Sequence, residues 1–278
     1  MWCGFVLSKG VCRLRRVFAI LLCVLMLLGL CACGGEQQSG YRILETYESE
    51  GSYVIAFRKD DALCELITAV MQELAANNTL RTASLTWFGD DLISLRGQRG
   101  AMDELRETVQ PRTLIVGVNT ANKPLSYADG AGYAGFDVDV ANYICGYLGW
   151  SMVIRPIGAD EIGVQLASGN IDCAMGVPES EMTDSTMKNA CSFTPEYLSG
   201  KYVLVSRLDG PKSRMGLRGG VLGVMTADMD VLKTNEKFVE KLGSVIYQTG
   251  TESLFAALQS GEVEAILVPS PVAAYFMR

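Results

Sequence analysis

The sequence predicts an α/β protein built on parallel strands, and two stretches carry that expectation. In Arg112–Cys145, residues Leu114, Ile115, Val116 and Val118 form a short apolar run, the mark of a strand buried on both faces. A polar loop, Asn119–Ser126, and the turn residues Tyr127–Gly130 follow it. Gly135–Asp139 then leads into a helix whose Val140, Ile144 and Leu148 recur at helical spacing, with Asp137 and Asp139 expected to cap it. The second stretch, Ser52–Asp60, reads as a strand entering a helix with Leu63, Leu66, Ile67, Val70, Met71 and Leu74 in 3.6-residue period. A loop leaving the carboxyl end of a parallel strand is where open α/β sheets take ligands.

In chain order, Met1–Cys33 carries Lys9, Arg13, Arg15 and Arg16 ahead of an apolar run from Val17 to Ala32. A basic start and an apolar stretch short of the roughly 20 residues of a membrane span describe a signal peptide. Its end, Leu30-Cys31-Ala32-Cys33-Gly34-Gly35, resembles the bacterial lipobox, which implies cleavage before a lipidated Cys33 and a polar tether over 34–40. Without the four basic residues of the leader, 20 Lys and Arg face 31 Asp and Glu, a net charge of −11. So acidic a chain argues against nucleic acid as a partner, because that binding needs basic patches. The protein has no histidine and no CxxC pair, which removes the usual zinc, Ser-His-Asp and histidine acid–base constellations. No metal and no cofactor is expected. Cys64, Cys145, Cys173 and Cys191 remain after the leader, either as buried thiols or with one disulfide among them.

Several of these segments resemble, in sequence, the family 3 extracellular solute-binding proteins, the receptors of polar amino-acid ABC importers. Leu114–Ala141 follows that family's opening pattern, Leu166-Ala167-Ser168-Gly169-Asn170-Ile171-Asp172 its "LxSGxID", and Phe193–Tyr197 with Lys201–Val205 continue it. Tyr53–Gly89 is similar to the part that closes the same family, "YxIAxRKxD" through "WFG", yet here it stands ahead of the opening pattern. Val263–Tyr275 is similar to "VDAxxxDSPVAAY", after which the chain stops at Arg278. The motif order reads as a circular permutant, with Gly89–Pro111 as the joining segment and a short helix at Met102–Thr108; remnants of a tandem pair are the alternative.

The resemblance implies a two-lobed, periplasmic-binding-protein-like (type II) α/β fold over 41–278. Lobe 1 would cover about 50–206, and lobe 2 about 207–278 plus 41–48. Crossing strands near Tyr202–Arg207 and Thr46–Val54 would form the hinge, with ligand in the interlobe cleft. It further implies a monomeric, lipid-anchored receptor on the outer face of the cell membrane. Such a receptor hands an amino acid or related amine to an ABC permease and is not an enzyme. The alternative is a ligand-sensing or orphaned surface module with a diverged pocket.

The family's anchors are altered here. The stretch Met182–Lys188, comparable to the one that in the family carries the arginine for the ligand carboxylate, contains no arginine, and Lys188 offers only a point charge in its place. Pro269 stands where the family has the aspartate that holds the ligand amine. The residues expected to line the site are Asn119, Asn122, Tyr127, Val177, Glu179, Thr183, Lys188, Asp228 and Asp230. Asp228 and Asp230, in the position of the family's "GTT" loop, either meet a cationic or neutral ligand or cap a helix in water. An enzymatic reading would need an acid–base pair, for which Glu179 with Lys188 is the candidate.

Overall fold

A computed structural model describes residues 40–182 and 184–278. Residues 1–39, on which the expected signal peptide, Cys33 and all of the expected tether but Gly40 fall, and Thr183 lie outside the described residues. Among the described residues no helix is long and apolar enough to cross a membrane.

Two five-stranded mixed sheets form the two lobes. The first has the order β7 (Ser151–Pro156), β3 (Thr113–Val118), β8 (Cys173–Pro178), β2 (Tyr53–Arg58), β9 (Cys191–Phe193), with β3 parallel to β7 and β8 and with β2 antiparallel to β8 and β9. The second has the order β1 (Tyr41–Glu50), β10 (Lys201–Arg207), β13 (Ala265–Pro269), β11 (Val221–Met225), β12 (Ser244–Gln248). There β11 is parallel to β12 and β13, and β10 is antiparallel to β1 and β13. A small antiparallel ribbon of β4 (Ala121–Asn122), β5 (Ser126–Asp129) and β6 (Gly132–Ala134) leaves the end of β3.

Burial follows strand position. Central β2 and β13 are apolar runs buried on both faces, whereas edge strand β7 alternates exposed Ser151, Val153 and Arg155 with half-buried Met152 and Ile154. Along β2 the two-residue period divides the lobe 1 core. Tyr53, Ile55 and Phe57 pack with helices Ala62–Ala76, Thr79–Phe88 and Phe136–Leu148, while Val54 and Ala56 pack with Ile162, Leu166 and Ile171 on the other face. β10 does the same in lobe 2: Val203 and Val205 meet helix Thr251–Ser260, and Tyr202 and Leu204 meet Leu217, Leu232 and Phe238. The joining segment lies over helix Ala62–Ala76, with Leu95 and Met102 buried and the Gln98 amide donating to the Gln72 carbonyl at 3.0 Å. Its helical part is only a 3-10 turn, Arg106–Thr108. The four described cysteines are free thiols.

The lobe boundary differs from the expected one. Lys201–Arg207, assigned to lobe 1 by motif order, is β10 in the second sheet, where its continuous apolar run Tyr202–Val205 is buried between β1 and β13. One crossing, Gly51–Ser52, falls within the expected Thr46–Val54; the other is Thr194–Gly200, ahead of the expected Tyr202–Arg207. These two crossings run side by side: the Gly51 amide donates to the Gly200 carbonyl at 2.8 Å, and the Tyr53 amide to the Leu198 carbonyl at 2.9 Å. A Cβ on Gly200 would come within 2.7 Å of the Gly51 carbonyl oxygen and 2.6 Å of Pro271, so only glycine lets the two passages close.

The aspartates that open helix Phe136–Leu148 are structural but are not caps; the N-cap position is Gly135. Asp139 accepts from the Trp87 indole at 2.8 Å. Asp137 is fully buried and accepts from the Tyr197 hydroxyl at 2.5 Å, while its Oδ2 has no partner. Gly176, at φ +67°, leaves room for that carboxyl, since a Cβ there would sit 2.5 Å from Oδ2. Burial pushes Asp137 up to about 7, against the lowering effect of the Tyr197 hydrogen bond. A raised carboxyl contributes stability below the pKa of the unfolded chain, near 4, and loses it as pH rises through about 7. Denaturant titrations of the protein should therefore lose on the order of 2–4 kcal/mol between pH 4 and 8 from this group. Asp137→Asn should flatten that slope, and an unchanged slope in the variant would disprove the assignment.

Candidate functional site

The carboxyl ends of β3 and β8 in lobe 1, and of β11, β12 and β13 in lobe 2, face the crossings, so the cleft is lined by the segments that follow them. On lobe 1 these are the Asn119–Asn122 loop and the turn Glu179–Met182. On lobe 2 they are Thr226–Asp230 and Gly250–Glu252.

The lobes touch at one side of this cleft. The Thr251 hydroxyl donates to the Lys123 carbonyl at 2.6 Å, and the Lys123 ammonium pairs with Glu252 at 2.8 Å. Lys123 also lies 4.5 Å above the Tyr127 ring, which packs edge-on against Trp87 with ring centres 6.3 Å apart. Trp87 in turn packs on Tyr275, and Arg278 donates to the Thr86 and Trp87 carbonyls, so the last helix, Ser270–Phe276, is tied to lobe 1. On another side, Glu181 of lobe 1 is held above the usual carboxylate range by burial and by the charges of Asp184 and, from lobe 2, Asp230.

The expected site residues separate on this frame. Asp228 is buried beside the crossings; its Oδ1 accepts from the Tyr202 hydroxyl at 2.8 Å. Burial raises its carboxyl to about 6, and the Tyr202 hydrogen bond limits the rise. Among the described residues its Oδ2 has no hydrogen-bond partner, and the side chain, 9% exposed, belongs to the segment that lines the cleft. Glu179 follows β8 and donates its amide to the Ser52 carbonyl at 2.9 Å, next to the crossing. Asn119 turns its Oδ1 back to the Ala121 amide at 3.0 Å, shaping the loop, and Asn122 stands half-buried in β4. Asp230 is exposed and paired with Lys233 at 2.6 Å, so it acts as a solvated residue of the helix start.

Tyr127 stands half-buried at the interlobe contact, edge-on to Trp87 and beneath the Lys123 ammonium. Two expectations are corrected. Val177 is 1% exposed, sealed in the apolar layer with Val54 and Ala174 by strand alternation. Lys188 sits at the other end of lobe 1. Its carbonyl accepts from Lys59, just past the end of β2 that lies away from the crossings, so it neither replaces the missing arginine nor pairs with Glu179. The lobe 1 arginines Arg58 and Arg112 are also engaged at that end, on Asp172 ahead of β8. Sequence reasoning passed over Lys123, Tyr202, Thr251 and Glu252, whose partners lie 26 to 129 positions away.

Two sheets of this topology, joined by paired crossings around a polar cleft, define a two-lobed binding protein of the type II fold. The chain belongs to the bacterial extracellular solute-binding proteins, family 3, whose model matches residues 114–266. It is 24% identical over 169 residues to the arginine-binding extracellular protein ArtP of Bacillus subtilis (strain 168); the match takes in 60% of this chain and 65% of ArtP. Among solved structures it is similar to an ABC uptake transporter substrate binding protein from Streptococcus pneumoniae with bound histidine. That likeness has a TM-score of 0.52 at 18% identity, over 64% of this chain and 73% of the other. The ancestral amino acid-binding protein AncCDT-1, a precursor of cyclohexadienyl dehydratase, is also similar, with a TM-score of 0.50 at 24% identity over 63% and 77%.

The interlobe contact should be worth little in its charges and more in its buried hydroxyl. Glu252→Ala, whose side chain is 63% exposed, should cost less than about 1 kcal/mol. Thr251→Ala, at 2% exposure, should cost about 1–2 kcal/mol in denaturant melts. The reverse ranking would show that the ion pair holds the lobes.

Proposed function

We propose that this protein captures a small amine-bearing solute, an amino acid or related amine, between its lobes and delivers it to an ABC permease. It would do so as a lipoprotein anchored through Cys33 on the outer face of the membrane. The observation that carries the ligand class is Asp228, a buried carboxylate in the segment that lines the cleft, with one oxygen held by Tyr202 and the other without a hydrogen-bond partner among the described residues. Pro269 leaves the neighbouring strand end without a carboxylate, and Lys188 and the arginines named above lie at the far end of lobe 1. A cation in the ligand suits that arrangement; among the described residues named here a carboxylate meets no cationic fork. The name of ArtP, arginine-binding, agrees with a cationic ligand. Family membership supports the permease as partner.

Thermal-shift titrations with arginine, lysine, simple diamines, glutamine and glutamate test the reading. A ligand at 100 times its Kd should add about 2.7 kcal/mol of stability, a shift of a few degrees. Cationic members should give the shift, and Asp228→Asn should weaken them at least tenfold. Because Asp228 must be ionised, affinity should fall about tenfold for each pH unit below about 6. A shift with glutamate alone would overturn the cation reading. Silence from the folded protein across the panel would favour the sensor or orphaned module, the reading that the lost carboxylate and amine anchors support.

We also infer that residues 41–89 are the family's closing part moved to the front. They precede the matched stretch, yet supply the edge strand of one sheet and a central strand of the other. Tyr41 and Phe276 pack on the same ring, Phe255, at 5.7 and 4.1 Å, so a short linker can join the ends of the described chain. A variant joined there and opened within 90–111 should melt cooperatively with an unchanged far-UV spectrum. Failure of that variant to fold would count against a rotated order.

A further inference from the structure

Lobe 2 holds a cavity of about 480 Å³ at the end opposite the cleft. Its lining comes from Leu44 and Glu45 in β1, from Arg214–Arg218 just ahead of β11, and from Phe238, Lys241 and Leu242 just ahead of β12. Those are the ends of the parallel strands away from the crossings, so a ligand in the cleft does not reach this cavity.

The cavity has an apolar floor and a cationic rim. Arg214 is built in: it pairs with Glu45 at 2.8 Å and lies 4.8 Å above the Phe238 ring. Arg218 and Lys241 are exposed, and neither side chain has a partner among the described residues. Met215 on the rim is 77% exposed, the highest exposure of any large apolar side chain described. Three cations against one carboxylate stand here in a protein whose net charge is −7. The described chain also emerges at this end, at Gly40 before β1. Only seven residues, 34–40, separate that point from Cys33, a reach of about 25 Å at most.

We propose that this end of lobe 2 is a docking surface for anionic phospholipid. Arg218 and Lys241 would meet the phosphates, and Met215 would enter the headgroup boundary, so that the receptor stands on the membrane with its cleft turned outward. Cationic rims favour anionic leaflets, and an apolar side chain beside them adds contact that a soluble counterion does not use. The proposal rests on the membrane tether of the proposed function but not on the identity of the solute.

The test is amide hydrogen exchange of the full chain with vesicles of phosphatidylcholine alone and of phosphatidylcholine with phosphatidylglycerol. Exchange over 213–218 and 241–242 should slow about tenfold on the anionic vesicles, since each unpaired cation near such a surface favours contact about five-fold. The protection should vanish at 0.5 M salt (about 4 Å of screening length) and in Arg218→Gln/Lys241→Gln, while exchange at Thr226–Asp230 stays unchanged. Equal exchange on both vesicle types, or protection that survives the double variant, would overturn the proposal. So would the same protection from millimolar inorganic phosphate without vesicles, which would mark a free-phosphate site. If the variant melts early, the salt dependence of the unaltered protein decides. Flotation with neutral vesicles reports the tether separately: a chain that floats only with anionic vesicles retains the docking surface and loses the anchor reading.

Discussion

The paired crossing of Gly51–Tyr53 with Leu198–Gly200 is the constraint on which the molecule depends. Two extended passages, hydrogen-bonded to one another, connect two sheets that otherwise have separate cores. Each passage delivers a strand into a sheet interior: β2 between β8 and β9, and β10 between β1 and β13. Because these strands run antiparallel to their neighbours while the others run parallel, all the parallel strands end facing the crossings. The cleft exists because those ends face each other.

That geometry also explains the buried acids. Asp137, on the helix that follows the lobe 1 ribbon, and Asp228, after β11, each accept from a tyrosine on or next to the second crossing, Tyr197 and Tyr202. Tyr53 of the first crossing is buried among them and is itself held far from ionisation by burial and by both carboxylates. Hydroxyl donors offset part of the desolvation of each acid. Asp137 is sealed in lobe 1, whereas Asp228 keeps about a tenth of its surface exposed in the segment that lines the cleft.

The two ends of lobe 2 carry different charged side chains. Acidic Asp228 and Asp230 follow β11 at the cleft, while Arg214, Arg218 and Lys241 precede β11 and β12 at the opposite end. Net charge averages over this arrangement, and the strand directions alone place the two groups at opposite ends of the lobe.

Much of this was determined by the sequence itself. Apolar runs such as Leu114–Val118, and the helical period of Leu63–Leu74, specify strands and helices through local burial pattern, and the ordered motifs carry the family. The altered anchors, Pro269 and the stretch without arginine, were equally plain, because side-chain chemistry is a property of the residue. The tertiary structure decided which residues share a site. Lys188 went to the far end of lobe 1 because helix Ser185–Ala190 runs away from the cleft, Val177 turned inward by strand alternation, and Tyr127 found Trp87. Lys201–Arg207 joined lobe 2 because a strand belongs to the sheet that pairs it on both sides. Asp228 owes its raised carboxyl to desolvation and to Tyr202, neither of which is written in its neighbours along the chain.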